Sequence, residues 1–512
     1  MRRPIAASVV WLALATCRRG ETSDAAAATA TPPATAPPGP AAAVEVEVPL
    51  VPLLGRAALD ARVHAQRSAL GADSPLFEDA QGHAVPWIAT GGSVPQEPAF
   101  DDDLLDALPG SSGLGGDVAA LGSGPRPNGN SLGLFEPLEG DPRALSHFHA
   151  ALRALERGDD RKVRVLVWGA SHTEADIYPQ YVRSYLQDRF GDGGHGFVMP
   201  AQPWKGYGHI EVSVDGFSGW RTDHAQRDDD DDDRRFGLLG ASIATRSAKA
   251  FGRVVQQAGV VGSHYELWYV AQPRGGTVAI VADGRTLHQL DTRARRVEPG
   301  YHAFELPEAE HTIELRPVGD GDVRILGLVI ERDDPGVVVD TLGIRGTRAN
   351  NQLEWDEASW RDNVQHRAPD LVVLAFGTNE ATDVDRPIEA YENDLRAVLQ
   401  RQRRAAPQAS CLLVGPGDFP LALPDGTLAP RPRVSEIIDV QSRVAADNGC
   451  GFWDLRAFMG GELSMLQWAR AEPPMAQPDL IHLTRRGYVR MGMALVDALM
   501  ADFDLDDPLR GR

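Results

Sequence analysis

The sequence predicts an α/β protein: a parallel sheet covered by helices on both faces, interrupted by a block of antiparallel β-structure. Three observations predict it. Short apolar runs at residues 163–168, 337–340, 371–376, 411–414 and 450–453 are each bounded by turn residues, as strands buried on both faces are. Amphipathic stretches at 178–190, 353–366, 388–404, 434–448 and 484–500 separate most of these runs, and strands alternating with helices form a parallel sheet. Between about residues 209 and 332 the pattern changes to period two, the signature of half-buried strands.

Residues 1–17 read as a targeting segment. Arg2 and Arg3 precede an apolar stretch from Ile5 to Leu14 that is too short to span a bilayer. From 18 to 141 the chain reads as a linker and poorly structured region. Its first part, from about 25 to 44, is Ala, Thr and Pro almost throughout and should act as an extended spacer. Ordered sequence begins near Pro142. Residues 144–157 carry helical apolar spacing through Leu145, Phe148, Leu152 and Leu155, and the first strand comes next. Residues 142–208 and 333–505 are thus two parts of one α/β domain, split by the insert 209–332. In the insert, Asp283-Gly284 between strand-like runs is a type I′ hairpin signal. Several short strands with turn signals make this segment a β-sandwich or jelly roll.

A chain of 512 residues is ample for a large core. Its net charge of −21 argues against a nucleic-acid partner, because phosphate binding needs clustered Lys and Arg. The acidic run from Asp228 to Asp233 lacks the ligand spacing of a calcium loop and reads as a solvated loop. Beyond Cys17 the only cysteines are Cys411 and Cys450, which open two apolar runs expected to be neighbouring strands. They are read either as a disulfide or as two buried thiols, and they offer no zinc spacing.

The chemistry lies at strand ends. Ser171 comes after the run 163–168, and Asp479 and His482 stand three residues apart far downstream. A serine hydroxyl is a weak nucleophile until a base takes its proton, which a histidine does at neutral pH. An aspartate holds that ring and stabilises the imidazolium. A spacing of three lets one turn present Asp479 and His482 on the same side. These residues are the layout of a nucleophilic ester hydrolase.

Gly346 in Gly343-Ile344-Arg345-Gly346-Thr347 and Asn379 in Phe376-Gly377-Thr378-Asn379-Glu380 lie between them. Ser171, Gly346, Asn379 and His482, in that order, resemble the four blocks of the SGNH (GDSL-type) hydrolase superfamily. The resemblance implies a three-layer αβα, flavodoxin-like fold with its site at the carboxyl ends of the strands. It also implies an oxyanion hole made by the backbone N–H groups of Ser171 and Gly346 and the side-chain amide of Asn379, with Gly343 a rival to Gly346. No cofactor or metal is called for. Ala170 departs from the family's Gly-Asp-Ser pattern, while Ser171-His172-Thr173 matches a branch that reads Ser-His-Thr. His172 reads as a structural or rim residue and not as a second base.

The order of blocks, with Gly191-Asp192-Gly193-Gly194-His195-Gly196 and then a β-rich insert, resembles bacterial peptidoglycan O-acetylesterases. In these a carbohydrate-binding-module-like β-domain interrupts the hydrolase. That resemblance implies removal of O-acetyl groups from a polysaccharide through an acetyl-serine intermediate. Two other readings keep the same residues: a polysaccharide O-acetyltransferase, and a non-catalytic polysaccharide-binding surface lipoprotein. Leu14-Ala15-Thr16-Cys17 resembles a bacterial lipoprotein signal, implying an exported, membrane-anchored protein lipidated at Cys17. The alternative is an ordinary secretory signal with an incidental cysteine. Trp204, Tyr207 and Trp220 flank the start of the insert and either stack on sugar rings at the cleft rim or pack at a domain junction. The insert is expected to govern polymer choice, so that its replacement by a short linker largely spares small-ester hydrolysis provided the core still folds.

Two further motif matches are loops. Gly129-Asn130-Ser131-Leu132-Gly133 has no preceding strand, as a nucleophile elbow requires. Gly191 to Gly196 comes after a helix where a dinucleotide fingerprint requires a strand.

Overall fold

The computed structural model describes residues 136–505, apart from 227–232, 424–426 and 472–473. The targeting segment with Cys17, the linker up to residue 135, the 129–133 motif and residues 228–232 of the acidic run lie outside the described residues. Of that run Asp233 is described, and it pairs with Arg324 and Arg235.

Among the described residues the central sheet has six strands, in the spatial order Glu139–Gly140, Gly451–Trp453, Ser410–Val414, Leu371–Ala375, Lys162–Gly169 and Gly336–Gly343. Five are parallel and the two-residue edge strand is antiparallel. Ranked by chain position, the five parallel strands lie 2-1-3-4-5, the flavodoxin-like order, with its reversal between Lys162–Gly169 and Leu371–Ala375.

Alternate side chains of each strand enter different cores. Val163, Val165, Val337, Val339, Leu371, Val373 and Leu412 pack with helices Ser146–Glu156, Ile177–Phe190 and Arg485–Leu505. Leu166, Trp168, Val372, Leu374 and Leu413 enter the opposite core with helices Glu357–Arg367, Ile388–Ala405 and Pro432–Asp447. This explains the continuous apolar runs, because neither face of the sheet meets water. All five helices expected downstream of the serine strand are present; short helices at Leu455–Met459 and Ser464–Ala469 are additional. Cys411 and Cys450 are joined by a disulfide at the amino ends of neighbouring strands.

The insert is a pair of antiparallel sheets. One contains Arg285–Asp291, Thr277–Ala282, Thr312–Pro317, Gly252–Gln256 and Val212–Asp215; the other contains Glu298–Ala309, Gly262–Ala271, Val323–Glu331, Ala241–Thr245 and Arg221–His224. Asp283 (φ 49°) and Gly284 (φ 78°) form the expected hairpin, both central residues having the positive φ of a type I′ turn.

Two expectations about the insert need correction. Strand Gly196–Val198 pairs with Val323–Glu331, so the β-region begins before residue 209. The insert is also not separable from the hydrolase. Val254, Leu267, Trp268 and Leu328 from its sheets share one buried core with Leu166, Trp168 and Trp360 of the α/β part. Trp168 Nε1 donates to the Leu238 carbonyl at 2.7 Å, and Tyr301 stacks on His366 with ring centroids 3.7 Å apart. Excising 209–332 would expose this shared core, so substrate choice has to be probed by substitution.

A buried ion network seals the junction. Arg367 is bonded to Asp340 at 2.6 and 2.9 Å and to Glu331, which also takes two bonds from Arg164 at 2.8 and 2.9 Å. Asp340 and Arg367 are almost wholly inaccessible. Removing one partner of a buried pair strands the other charge and costs about 3–5 kcal/mol. Arg367→Met should therefore lower unfolding stability by about that amount in chemical denaturation; a loss within experimental error would show that the network contributes nothing net.

Candidate active site

The register of the sheet brings the three sequence blocks to one level. Gly169 pairs with Gly343 on one side and with Ala375 on the other. Ser171, Gly346 and Asn379 therefore leave three adjacent strands within two to four residues of the same rung, beside the reversal in strand order where α/β sheets bind ligands.

Ser171 opens the short helix Ser171–Glu174, entered through Ala170 (φ −96°, ψ −143°), whose carbonyl accepts from the N–H groups of Thr173 and Glu174. Its Oγ lies 2.9 Å from His482 Nε2, and His482 Nδ1 lies 2.7 Å from Asp479 Oδ2. A tight turn delivers the last two residues. Leu480 adopts the left-handed conformation (φ 56°), and the turn is closed by bonds from Leu480 N to the Gln477 carbonyl and from Gln477 N to the His482 carbonyl. A non-glycine residue in this region costs of order 1–3 kcal/mol, sustained here by the surrounding bonds.

Asp479 Oδ1 also accepts from the backbone N–H groups of Ile481 and His482, both at 3.0 Å. Burial pushes the Asp479 carboxyl up, but bonds from the His482 side chain and from these two N–H groups outweigh it. The carboxyl is held below its ordinary value.

His172 sits beside this pair without joining it. Its ring lies 5.4 Å from that of His482, and its Nδ1 is 2.9 Å from the Tyr488 hydroxyl. Desolvation first, and the neighbouring His482 second, lower it to about 3. The Ser171 hydroxyl thus meets His482, while His172 is held by Tyr488 beside it.

The two rival glycines do different things. A Cβ on Gly343 would lie 2.1 Å from Glu174 N, so this residue is small because the serine helix rests on it. Gly346 takes φ 76°, a turn conformation that side chains disfavour, and a Cβ there would lie 2.4 Å from Gln226 Nε2. Gln226 belongs to the insert, which thus reaches the site. Asn379 Nδ2 donates to the Thr347 carbonyl at 2.9 Å, leaving the amide a second hydrogen to donate.

Two carboxylates missed in the sequence brace these loops. Glu174 accepts from the backbone and guanidinium of Arg345. Glu380 accepts from Gly377 N at 3.0 Å and Ala349 N at 2.9 Å, tying the asparagine turn to the glycine loop; burial raises its carboxyl above the ordinary value. Glu174 and Glu380 lie inside the Ser-His-Thr-Glu and Gly-Thr-Asn-Glu blocks, and acidic side chains directly after two strand ends were the available signal.

The aromatic trio separates. Trp204 is half-buried and donates Nε1 to Glu174 Oε1 at 2.8 Å. Trp220 is half-buried against the Phe251 carbonyl. Tyr207 cannot stack on a sugar, because it is 4% exposed and its hydroxyl accepts from Met199 N at 2.9 Å. It belongs to a buried polar chain in which His209 bonds to His195 and His195 to Glu211. The Gly191–Gly196 loop supplies His195 to that chain, and it leaves helix Ile177–Phe190 and not the strand that a dinucleotide fingerprint needs. A cavity of about 280 Å³ beside Cys411 and Cys450 lies at the opposite, amino end of the strands and is not this site.

Comparison with known proteins agrees with this geometry. The GDSL-like lipase/acylhydrolase family matches residues 318–490, which hold the glycine, asparagine and Asp–His blocks; the serine block lies upstream, separated from them by the insert. A solved structure described as "Peptidoglycan O-acetylesterase in action" is 26% identical, covers 72% of this chain and 97% of its own, and superposes with a TM-score of 0.58. An acetyl xylan esterase (20% identical, covering 32% of this chain and 82% of its own) has a TM-score of 0.25. A family two carbohydrate esterase from Cellvibrio japonicus (13% identical, covering 57% and 98%) has a TM-score of 0.23. Neither of these two superpositions is close enough to argue from. No curated protein matches the chain significantly.

Proposed function

Because the chain is an SGNH (GDSL-type) carboxylic ester hydrolase, we propose that it removes O-acetyl groups from a cell-wall polysaccharide, and specifically from peptidoglycan. The observation that carries the reading is the hydrogen-bonded relay Ser171–His482–Asp479 at the carboxyl ends of the central strands. Its likeness over most of its length to a structure described as a peptidoglycan O-acetylesterase supports the substrate.

In this mechanism Ser171 Oγ attacks the acetyl carbonyl while His482 Nε2 takes its proton, and Asp479 stabilises the imidazolium. The carbonyl oxygen becomes negative and is met by the N–H groups of Ser171 and Gly346 and the Asn379 amide, donors each worth on the order of 10²–10³ in rate. Collapse breaks the bond to the sugar oxygen, which leaves with the proton from His482. Water, deprotonated by the same ring, then attacks acetyl-Ser171 and releases acetate. A transferase would differ only in admitting a sugar hydroxyl in place of that water. The intact relay counts against a non-catalytic role. Export behind the 1–17 segment with a lipid anchor at Cys17 completes the proposal; the Cys411–Cys450 disulfide fits an oxidising compartment.

Acetate release from O-acetylated peptidoglycan, by the wild-type protein and by Ser171→Ala, tests the reading. Release by the wild type alone is expected. If a small acetate ester were cleaved but the polymer were not, the proposed substrate would be wrong and the mechanism would stand.

The pH profile is a second test. Asp479, held below its ordinary value, is ionised throughout the neutral range, and its stabilising effect fades only as pH falls through that lowered value. A rise in kcat/KM between about pH 5 and 8 must then report deprotonation of a histidine. A flat profile across that window contradicts a histidine base.

A further inference from the structure

We infer that Glu174 is a positioning residue for the reaction, fixing the Gly346 donor relative to Ser171; this rests on the acetyl-serine reading above. Glu174 stands one helical turn after the nucleophile. Its carboxylate, 4% exposed, gathers donors from two other segments. Oε2 accepts from Arg345 N at 2.6 Å, and Oε1 accepts from Arg345 Nε at 2.9 Å, from Arg345 Nη2 at 2.5 Å and from Trp204 Nε1 at 2.8 Å. The backbone of Glu174 also rests against Gly343, on the strand that leads into the same loop.

The need for such a clamp arises from the donor itself. Gly346 has no side chain to anchor it, and glycine is the residue with the widest choice of backbone conformations. The N–H one residue earlier is pinned to the serine helix, so the two backbone donors are set by one side chain. The guanidinium of Arg345 adds a counter-charge. It offsets the carboxylate's charge where negative charge develops on the substrate, so the clamp holds the loop without opposing the oxyanion. Trp204 carries the same carboxylate's reach to the segment that leads into the insert.

The clamp predicts a loss in the chemical step and not in ground-state binding. On a small acetate ester, Glu174→Ala should lower kcat by about 10²-fold, as expected for a misplaced oxyanion donor, with KM nearly unchanged. Glu174→Gln keeps one acceptor oxygen and should fall between wild type and Ala. Arg345→Ala leaves the backbone N–H bonded to Oε2 and should lose less than Glu174→Ala. Affinity for a boronic acid, which becomes tetrahedral on Ser171, should fall in step with kcat/KM in all three, whereas affinity for an unreactive ether analogue should hold.

An unchanged kcat in a folded Glu174→Ala protein overturns the inference, as does a kcat loss without a matching loss of boronate affinity. Should Glu174→Ala not fold, Glu174→Gln decides on the same criteria. Ser171→Ala, assayed alongside, separates the two claims: activity there would defeat the acetyl-serine reading itself, whereas an inactive Ser171→Ala beside an unaffected Glu174 series would defeat the clamp alone.

Discussion

Ser171→Ala is expected to abolish ester hydrolysis while leaving the circular dichroism spectrum and melting temperature nearly unchanged. The hydroxyl bonds to His482, at a half-buried strand tip outside both hydrophobic cores. Without it there is nothing to carry the acyl group, and the remaining donors and relay polarise a carbonyl that no enzyme atom attacks. Hydrolysis by a folded Ser171→Ala protein would remove the mechanism.

Asp479→Asn has the second-largest expected effect. The carboxylate holds His482 through Oδ2 and receives two backbone N–H groups on Oδ1, so it sets both the ring's orientation and the shape of the turn. An amide keeps the size but loses the charge that stabilises the imidazolium, and it favours the wrong tautomer. In a triad of this kind the same change lowers kcat by about 10⁴. KM should move far less, because Asp479 acts through His482 as charge develops. A kcat within about tenfold of wild type would mean that His482 does not need this partner.

How much of this was legible in the sequence depends on whether a feature is local. The five parallel strands were readable because each is an apolar run of four to six residues with turn signals at its ends. Ser171, Asp479 and His482 were readable as candidates because a serine after a strand and an Asp and His three apart are local patterns, and their side chains do lie within hydrogen-bond reach of one another. The hairpin at Asp283-Gly284 was equally local.

What was missed depends on partners far apart in the chain. Arg345 meets Glu174 across 171 residues, and neither sequence neighbourhood announces the other. Strand Gly196–Val198 is three residues long and is defined only by its pairing with Val323–Glu331, so the insert's boundary was misplaced. For Tyr207 the Gly-rich sequence leaves stacking at the rim and packing at a junction both open, and only the folded junction decides for burial. The shared core of insert and hydrolase was hidden for the same reason. Trp168 looks like the end of one strand until its indole is seen to donate to Leu238.

The mechanism turns on passage of the acetyl group through Ser171. It is tested most directly by mixing the protein with a small acetate ester, quenching in acid within the first turnovers, and mapping acetylated peptides by mass spectrometry. A transient acetyl group is expected on the peptide carrying Ser171, longer-lived in Asp479→Asn and absent from Ser171→Ala. Acetate release in the wild type with the acetyl group found only on another residue would contradict it.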